Sequence, residues 1–404
     1  MESNYKRLGD YIHKIENRNK DLLVSKLVGL SMTKEFRVST SNIVGTDMSV
    51  YKIVNKWQFS CDFMSVIRVH KFPVVLKIDD EPVLVSPAYT VFEVNNESEL
   101  SPEYLMMWFR RTEFDRYADF KCDSAIRGGF DWDALCDCLL PIPSIEKQHE
   151  IVNEYNVIQK RIELNNQLIQ KLEDTAQTIY KQWFVEFEFP NEDGKPYKSN
   201  GGKMVWCEEL EKEIPEGWEL NFINQYIKLS QGLAMNASNK HLVTEKGIPL
   251  LRITDLINRT SEIFISNKVD KNVIAVKEDI IVSRTGQVGL VFRNKIGVVY
   301  NNCFKVNPFP NLNREVLYWF LKSKMMYSIM NELASGSSAQ LDLTHKQFYT
   351  IKFLLPTFNL QLKFSDISIS ISNQLEICEL LNVKLEELRD LLLAKMTKVE
   401  KAPI

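Results

Sequence analysis

The stretch that decides the fold is Lys6-Arg7-Leu8-Gly9-Asp10-Tyr11-Ile12, because a related stretch recurs 215 residues later as Asn221-Phe222-Ile223-Asn224-Gln225-Tyr226-Ile227. The same offset relates Leu139-Leu140-Pro141 to Leu354-Leu355-Pro356 and Tyr89 to Phe304. A long helical pattern follows each of the two prolines. Matches in the same order at one offset predict two divergent copies of one unit, each a globular part followed by a helix.

Within each copy, short runs of β-branched and aromatic residues separated by turn residues predict strands. A capped helix follows them, beginning at Ser101-Pro102-Glu103 in the first copy and at Asn313 in the second. The predicted strands of the first copy are Trp57–Phe59, Met64–Val69, Pro73–Ile78 and Val83–Val94. Those of the second copy are Ile248–Ile253, Ile280–Ser283, Gly289–Phe292 and Val298–Val306.

Two heptad patterns, with alternating steps of four and three residues, predict helices that each pack along another helix. The apolar stripe, or seam, of each helix must pack against another surface, and the simplest partner is the seam of the other helix. The alternative is that each helix packs on its own globular part. Antiparallel pairing would place the globular parts at opposite ends. The first seam is Ile151, Tyr155, Ile158, Ile162, Asn165, Ile169, Leu172, Ala176, Ile179 and Trp183. The second is Ile367, Ile371, Gln374, Cys378, Leu381, Leu385, Leu388 and Leu392.

These patterns predict an α+β fold with two similar mixed α/β domains, separated by two long antiparallel coiled-coil-like helices in a pseudo-twofold repeat. Asn165 is the polar residue of the first seam, and such a residue can fix the register of a helix pair. The predicted segments are a first domain (1–145), a central helix (146–190), a connector (191–213), a second domain (214–358) and a C-terminal helix (359–404).

Charge is distributed unevenly over the 404 residues, whose net charge is −3. Residues 214–359 hold 17 Lys and Arg against 11 Asp and Glu, a net +6, whereas residues 1–145 hold 18 against 21, a net −3. The second domain is therefore suited to a polyphosphate, and the first needs a local basic patch or a basic partner.

Composition points to a soluble protein of a reducing cytoplasm. No run of 18 apolar residues predicts a membrane span, and the N-terminal residues lack the apolar core of a signal peptide. The seven cysteines form no CxxC pair, so we expect neither a disulfide framework nor a zinc site.

The sequence lacks the patterns of the common catalytic sites. The five histidines form no metal-binding pair, and Gly201-Gly202-Lys203-Met204 lacks the first glycine and the hydroxyl residue of a phosphate-binding loop. Asn307-Pro308-Phe309-Pro310 approaches the Asn-Pro-Pro-aromatic turn of DNA amino-methyltransferases, but its second proline is displaced. We expect no catalytic residues and no metal in this chain.

The region between the two copies carries a family resemblance. It contains Trp183-Phe184-Val185-Glu186-Phe187-Glu188-Phe189-Pro190, Gly194-Lys195-Pro196-Tyr197-Lys198-Ser199, Gly201-Gly202-Lys203-Met204 and Ile214-Pro215-Glu216-Gly217-Trp218. Together with Leu139-Leu140-Pro141-Ile142-Pro143 and Glu146-Lys147-Gln148, these strings resemble the specificity (S) subunits of type I restriction–modification systems. In the second copy, Thr357-Phe358-Asn359-Leu360-Gln361 lacks the proline and glutamate of that helix entry.

The resemblance implies two target-recognition domains, each reading one half of a bipartite double-stranded DNA target. It also implies that the helices set the gap and dock two methyltransferase subunits, with restriction subunits as further partners. S-adenosylmethionine, ATP and Mg²⁺ would belong to those partners, and none to this chain. The alternative is a coiled-coil scaffold whose globular ends bind proteins; the basic second domain favours DNA. An enzyme is the third and poorest option.

Bases are read in the grooves by Arg, Lys, Asn, Gln and hydroxyl side chains, so we expect DNA contacts from polar loops of each domain. Arg284 is the candidate for guanine and Gln287 for adenine. The second-domain candidates are Arg252, Ser283, Arg284, Thr285, Gln287, Ser337, Ser338 and Gln340. The first-domain candidates are Arg68, His70, Lys71, Ser124 and Arg127. The alternative for each is an ordinary solvated loop residue.

Overall fold

The computed structural model describes residues 5–39, 45–123, 129–334 and 341–396. Its contacts divide the chain into unit 1, which is Met1–Asn166 with Glu379–Ile404, and unit 2, which is Gln167–Cys378. The sequence-based segments gave each long helix a segment of its own. In the structure each helix instead contributes one part to each unit, because its two parts pack on different globular cores.

Unit 1 combines short strands with short helices before its long helix begins. The strands are β1 (Tyr5–Arg7), β2 (Ile12–Ile15), β3 (Val28–Leu30), β4 (Phe36–Val38), β5 (Lys52–Val54), β6 (Phe59–Cys61), β7 (Val74–Leu76), β8 (Val83–Val85), β9 (Thr90–Val94) and β10 (Leu139–Pro141). The helices are α1 (Val66–Val69), α2 (Pro102–Arg110), α3 (Thr112–Asp123), α4 (Trp132–Cys136) and α5 (Ile145–Phe184). An antiparallel sheet in the order β2-β9-β6-β7 forms the centre of the globular part.

Unit 2 repeats this plan and has an additional five-stranded sheet, whereas unit 1 has the two-stranded sheets β3-β4 and β5-β8. Its strands are β11 (Met204–Cys207), β12 (Lys212–Pro215), β13 (Glu219–Phe222), β14 (Ile227–Gln231), β15 (Val243–Thr244), β16 (Ile248–Leu251), β17 (Phe264–Ile265), β18 (Ile274–Ala275), β19 (Ile280–Ser283), β20 (Val291–Phe292), β21 (Gly297–Val299), β22 (Cys303–Pro308) and β23 (Lys352–Leu355). Its helices are α6 (Ile253–Asn258), α7 (Arg314–Lys322), α8 (Lys324–Ala334), α9 (His345–Phe348) and α10 (Phe358–Lys395).

The central sheets of the two units have equivalent strand orders. The order β14-β22-β19-β20 in unit 2 corresponds to β2-β9-β6-β7 in unit 1, and β13-β23 corresponds to β1-β10. Strand β14 begins 215 residues after β2, which is the offset found in the sequence. The additional sheet of unit 2 has the order β15-β17-β16-β21-β18. The two copies therefore share the strand order of their central sheets as well as the sequence offset.

An aromatic cluster joins the central sheet of unit 1 to α2. Phe59 and Phe92 stack with ring centroids 4.8 Å apart, and Phe109 of α2 packs edge-on against both. All three side chains are fully buried. Helix α2 begins as predicted, because the Ser101 hydroxyl accepts a hydrogen bond from the Tyr104 N–H and Pro102 occupies the first turn.

Two predicted strands include residues that are helical in the structure. Met64–Val69 contains helix α1, because the Asp62 carboxylate accepts hydrogen bonds from the N–H groups of Met64 and Ser65 and starts a turn there. Ile253 begins helix α6 and does not end a strand. In both places β-branched residues favour a strand, and the local turn overrides that preference.

A buried glutamine joins the long helix of each unit to its globular part. In unit 1 the Gln148 amide oxygen accepts from the Ser101 N–H at 2.8 Å, and its NH₂ group donates to the carbonyls of Glu99 and Pro143 at 2.8 and 2.9 Å. In unit 2 the Gln361 amide oxygen accepts from the Asn313 N–H at 2.7 Å, and its NH₂ group donates to the Asn311 and Pro356 carbonyls. Both side chains are fully buried, so each satisfies backbone groups that water does not reach.

Replacing either glutamine by leucine should destabilise the chain, because three buried backbone groups lose their partner. We expect Gln148→Leu and Gln361→Leu each to lower the free energy of unfolding by about 1–3 kcal/mol. Denaturant unfolding followed by circular dichroism measures the change. Asn153→Leu, at an exposed amide on α5, is the control and should remain close to the parent. Equal stability of Gln148→Leu and Asn153→Leu would contradict this role.

In unit 1 the beginning of α5 packs against the end of α10, and the two run antiparallel. Asn165 Nδ2 donates to Asn382 Oδ1 at 3.0 Å, and Asn382 Nδ2 donates to Asn166 Oδ1 at 2.7 Å. Ten residues before Asn165, Tyr155 packs in the same cluster as Leu392, ten residues after Asn382. The buried Asn165–Asn382 pair favours this register, because any shift would leave buried amides without partners.

In unit 2 the end of α5 packs against the beginning of α10, again antiparallel. Phe364 lies against Tyr180, Trp183 and Phe184, with ring centroids 4.9–5.9 Å apart. Nearer the middle of the helices, Ala176 and Ile371 belong to the same cluster. All the residues of the predicted α5 seam are buried or half-buried.

The predicted seam of α10 is wrong at every second position. Ile367, Leu381 and Leu388 are 37, 43 and 51 % exposed, and Gln374 is exposed as well. The inward positions lie one residue later and are Ser368, Leu375, Asn382 and Arg389, whereas Ile371, Cys378, Leu385 and Leu392 do face the seam. At 367, 381 and 388 the prediction took the more apolar residue, whereas the inward neighbours are polar. At 374 the strict four-and-three spacing selected Gln374 although Leu375 is the buried residue. Ser368 accepts from Trp319 Nε1 and donates to Glu315, and Asn382 pairs with Asn165.

Candidate nucleic-acid interface

A polar recess of about 480 Å³ lies where two central strands of unit 2 end and a third begins. Strand β14 ends at Gln231, β19 ends one residue before Arg284, and Asn301 precedes β22. Because neighbouring antiparallel strands place the end of one beside the start of the next, these residues meet at one end of the strands. The recess is lined by Gln231, Gly232, Ala234, Arg284, Thr285, Asn301 and Asp342.

The Arg284 guanidinium is held on two sides. Its Nε lies 3.1 Å from Asp342 Oδ1, its Nη2 lies 2.8 and 2.7 Å from Oδ1 and Oδ2, and its Nη1 donates to Gln231 Oε1 at 3.0 Å. The Thr285 hydroxyl donates to the same carboxylate at 2.7 Å. The Arg284 backbone is fixed as well, because its N–H donates to Asn302 and its carbonyl accepts from Leu343. This side chain is therefore set in one place before any ligand arrives.

The Asp342 carboxylate stays ionised near neutral pH. Burial acts to raise its pKa, but the hydrogen bonds from Arg284 and Thr285 outweigh burial and hold the pKa below the usual value. Nearby, burial and then the charge of Arg284 lower the pKa of His345, which keeps that imidazole neutral. The positive charge at the recess therefore belongs to Arg284.

The loop after β19 is shaped by two glycines and one buried hydroxyl. Gly286 and Gly289 have φ of +83° and +85°, which a side chain disfavours. The Ser283 hydroxyl donates to the Gln287 carbonyl and accepts from the Leu290 N–H, and Ser283 is fully buried. Ser283 was predicted to contact DNA; in the structure its hydroxyl instead closes the loop. Thr285 supports Asp342, and Gln287 is exposed.

Arg252 is also unsuited to its predicted role as a base contact. Its Nε lies 2.6 Å from Asp255 Oδ2, and its Nη2 donates to Asp255 Oδ1 at 2.9 Å and to Glu262 Oε2 at 2.6 Å. The hydrogen bond to Asp255, followed by that to Glu262, raises the pKa of Arg252. Two carboxylates surround this arginine, which joins the start of α6 to Glu262, two residues before β17.

In unit 1, Arg68, His70 and Lys71 are exposed at the end of α1. Arg68 Nη2 donates to the Ser65 hydroxyl at 3.2 Å, and the His70 ring nitrogen Nδ1 lies 2.9 Å from Asp119. Arg68 lies in the short helix α1 and the other two residues follow it, whereas the sequence predicted a strand here. The remaining candidates, Ser124, Arg127, Ser337, Ser338 and Gln340, lie outside the described residues.

Comparison with known proteins identifies the family. Residues 215–387 match the model of the type I restriction modification DNA specificity domain. The chain is 26 % identical over 384 residues to the type I restriction enzyme HindI specificity subunit of Haemophilus influenzae, covering 80 % of this chain and 82 % of that protein. The chain belongs to the type I restriction–modification specificity subunits.

Two further relatives agree with this assignment. A 156-residue match to the MjaIX specificity subunit of Methanocaldococcus jannaschii is 28 % identical and covers 38 % of this chain and 34 % of that one. The crystal structure of the S subunit from M. genitalium aligns with a TM-score of 0.56 at 16 % identity, over 98 % of this chain and 96 % of that chain. The last comparison shows that the fold of this specificity subunit is shared.

Specificity subunits are non-catalytic components of their complexes. Among the residues that the structure describes in this specificity subunit, no three His, Cys, Asp or Glu side chains form a group that could hold a metal ion. No helix in the described part of the chain is long and apolar enough to cross a membrane. The recess holds an oriented guanidinium beside amide groups, a combination suited to hydrogen-bonded recognition.

The two side chains that bond to the Arg284 guanidinium, Gln231 and Asp342, were missing from the sequence-based candidates. Asp342 lies 58 residues from Arg284 along the chain, and Gln231 lies 53 residues from it. No short motif joins positions so far apart. A single glutamine at a strand end has no distinguishing pattern, so only the fold brings the three side chains together.

Proposed function

We propose that this specificity subunit reads a bipartite double-stranded DNA target, with each unit reading one half. The observation that carries the proposal is the duplicated sheet: β2-β9-β6-β7 and β14-β22-β19-β20 have equivalent orders and present different loop residues. Arg68, His70 and Lys71 lie between β6 and β7 of unit 1, and Arg284 and Gln287 lie between β19 and β20 of unit 2. One scaffold with two sets of polar loops suits a protein that reads two different short sequences.

Charge supports DNA as the ligand of unit 2. The net charge of residues 214–359 is +6, from 17 Lys and Arg against 11 Asp and Glu. Phosphate contacts by such a surface position the protein, and side chains such as Arg284 and Gln287 then read base edges. The first domain has a net charge of −3, so it depends on its local basic residues and on basic partners. A pure protein scaffold would not need a basic domain.

We propose that the long helices carry the docking surfaces for two methyltransferase subunits. On unit 1, Leu380, Leu381, Leu388 and Leu391 of α10 are 43–61 % exposed; we call them the unit-1 patch. On unit 2, Leu362, Ile369 and Ile377 of the same helix are 44–58 % exposed and form the unit-2 patch. Exposed apolar residues on a helix that is already paired through another face favour a protein interface.

One patch on each unit fits two copies of one partner. S-adenosylmethionine, ATP and Mg²⁺ then belong to methyltransferase and restriction subunits, and this chain supplies the recognition and the assembly surface. The complex acts in the cytoplasm, where its DNA target is found. The helices between the units act as the spacer that sets the gap in the target.

The test is methylome sequencing of a host that expresses this chain with its methyltransferase. The expected methylation motif consists of two short specified sequences separated by a fixed number of unspecified base pairs. A host that lacks only this chain is the control and should show no such motif. A continuous motif, or methylation that does not depend on the chain, would contradict the proposal.

A further inference from the structure

The hydrogen bonds of Arg284 leave two N–H groups of its guanidinium unoccupied. A guanidinium has five N–H donors, one on Nε and two on each terminal nitrogen. Nε donates to Asp342, and one N–H of Nη1 donates to Gln231. The two oxygens of the Asp342 carboxylate subtend a small angle at Nη2, so they share one of its protons. Among the described residues, one N–H on Nη1 and one on Nη2 therefore remain without an acceptor.

These two N–H groups match the requirement for reading guanine. Guanine presents two acceptors, N7 and O6, in the major groove, and arginine contacts them with one N–H from each terminal nitrogen. The acceptors already present hold the rest of the guanidinium, so its plane is fixed and less side-chain entropy is lost on binding. The Arg284 side chain is 20 % exposed and lines the open recess, which gives a base edge access.

Arg252 in the same unit provides the contrasting case. It also pairs side-on with a carboxylate, and its side chain is 26 % exposed. However, its Nη2 donates to two different carboxylates, Asp255 and Glu262, so both Nη2 protons are taken. Arg252 therefore cannot donate one N–H from each terminal nitrogen to a base. The two arginines therefore differ in the one property that guanine recognition requires.

We propose that Arg284 reads a guanine in the half-target of unit 2, with Asp342 and Gln231 as positioning residues that orient it. This inference rests on the proposed function and adds the base class and two residues that determine specificity. Asp342 accepts hydrogen bonds from Nε and Nη2. One N–H on each terminal nitrogen is left for guanine N7 and O6. Gln231 fixes the rotation about the end of the side chain, and its own NH₂ group is anchored to the Asn301 carbonyl at 2.9 Å. The half-target of unit 2 therefore contains a G·C pair.

The experiment uses the complex of the full chain with its methyltransferase and a duplex that carries the motif found by methylome sequencing. Each guanine of the motif is replaced in turn by 7-deazaguanine, which keeps the base pair and lacks the N7 acceptor. For the parent complex, we expect one of these replacements to weaken binding by about 10-fold or more. In Arg284→Lys and Asp342→Asn complexes, the same replacement should have less than about a threefold effect.

Arg252→Ala is the matched control and should keep the full sensitivity to 7-deazaguanine, because Arg252 supports only the fold. Thermal unfolding of each variant separates loss of stability from loss of base discrimination. The inference is overturned if the Arg284→Lys and Asp342→Asn complexes keep the parent sensitivity at every guanine, or if neither half of the motif contains a G·C pair. Absence of any bipartite motif would instead contradict the proposed function itself.

Discussion

Inserting seven residues after Leu168 in α5, together with seven after Cys378 in α10, is expected to lengthen the unspecified gap in the DNA target by about three base pairs. Seven residues are two turns of helix, so the seams on either side keep their phase. They add about 10 Å at ~1.5 Å per residue, and B-DNA rises ~3.4 Å per base pair. Methylome sequencing of a host carrying the variant measures the gap directly.

The control for this variant is an insertion of seven residues in α5 alone. In both units α5 and α10 pair antiparallel, and Asn165 bonds to Asn382. A single insertion shifts one helix against the other, so we expect loss of stability and of methylation. If the double insertion preserves methylation with an unchanged gap, the helices do not set the distance between the two half-targets.

Placing charge in the unit-1 patch is expected to remove one methyltransferase subunit from the complex. Leu380→Glu with Leu391→Glu changes the two most exposed leucines of the patch, at 61 and 60 % exposure. Each leucine buried in an interface contributes about 1.5–3 kcal/mol, so we expect affinity for that copy to fall about 100-fold or more. Native mass spectrometry should then show one methyltransferase copy per chain in place of two.

The stability of this variant should remain within about 0.5 kcal/mol of the parent, because exposed substitutions rarely do more. Glu386→Lys, at an exposed position of the same helix, is the control and should retain both copies. The matching change in the unit-2 patch, Leu362→Glu with Ile377→Glu, should remove the other copy. Retention of both copies by the two variants would show that methyltransferase docks elsewhere.

The offset of 215 residues predicted the repeat because copies of one fold keep the apolar residues and turns that form the core. Helix starts at Ser101 and Asn313 were predictable because capping is local, and both side chains accept the expected backbone hydrogen bonds. The α10 seam was not predictable from apolar residues alone. Its inward Ser368 and Asn382 are buried because residues distant in sequence, Trp319 and Asn165, bond to them.

The candidate site was also predictable from the sequence only in part. A polar loop with Gly286 after a buried strand indicated Arg284 and Thr285 from the sequence. The same reasoning included Ser283 and Arg252, because a sequence pattern cannot show that Ser283 is buried or that two carboxylates surround Arg252. Asp342 and Gln231 reach Arg284 only through the fold, so no local pattern indicates a long-range ion pair of this kind.

The most direct test of independent reading by the two units is exchange of one globular part. Residues 219–355 are replaced by the equivalent segment of another specificity subunit with a different known motif, and the methylome of the host is sequenced. We expect one half of the motif to change to that of the donor, while the other half and the gap length remain. An unchanged motif, or a change in both halves at once, would contradict the account.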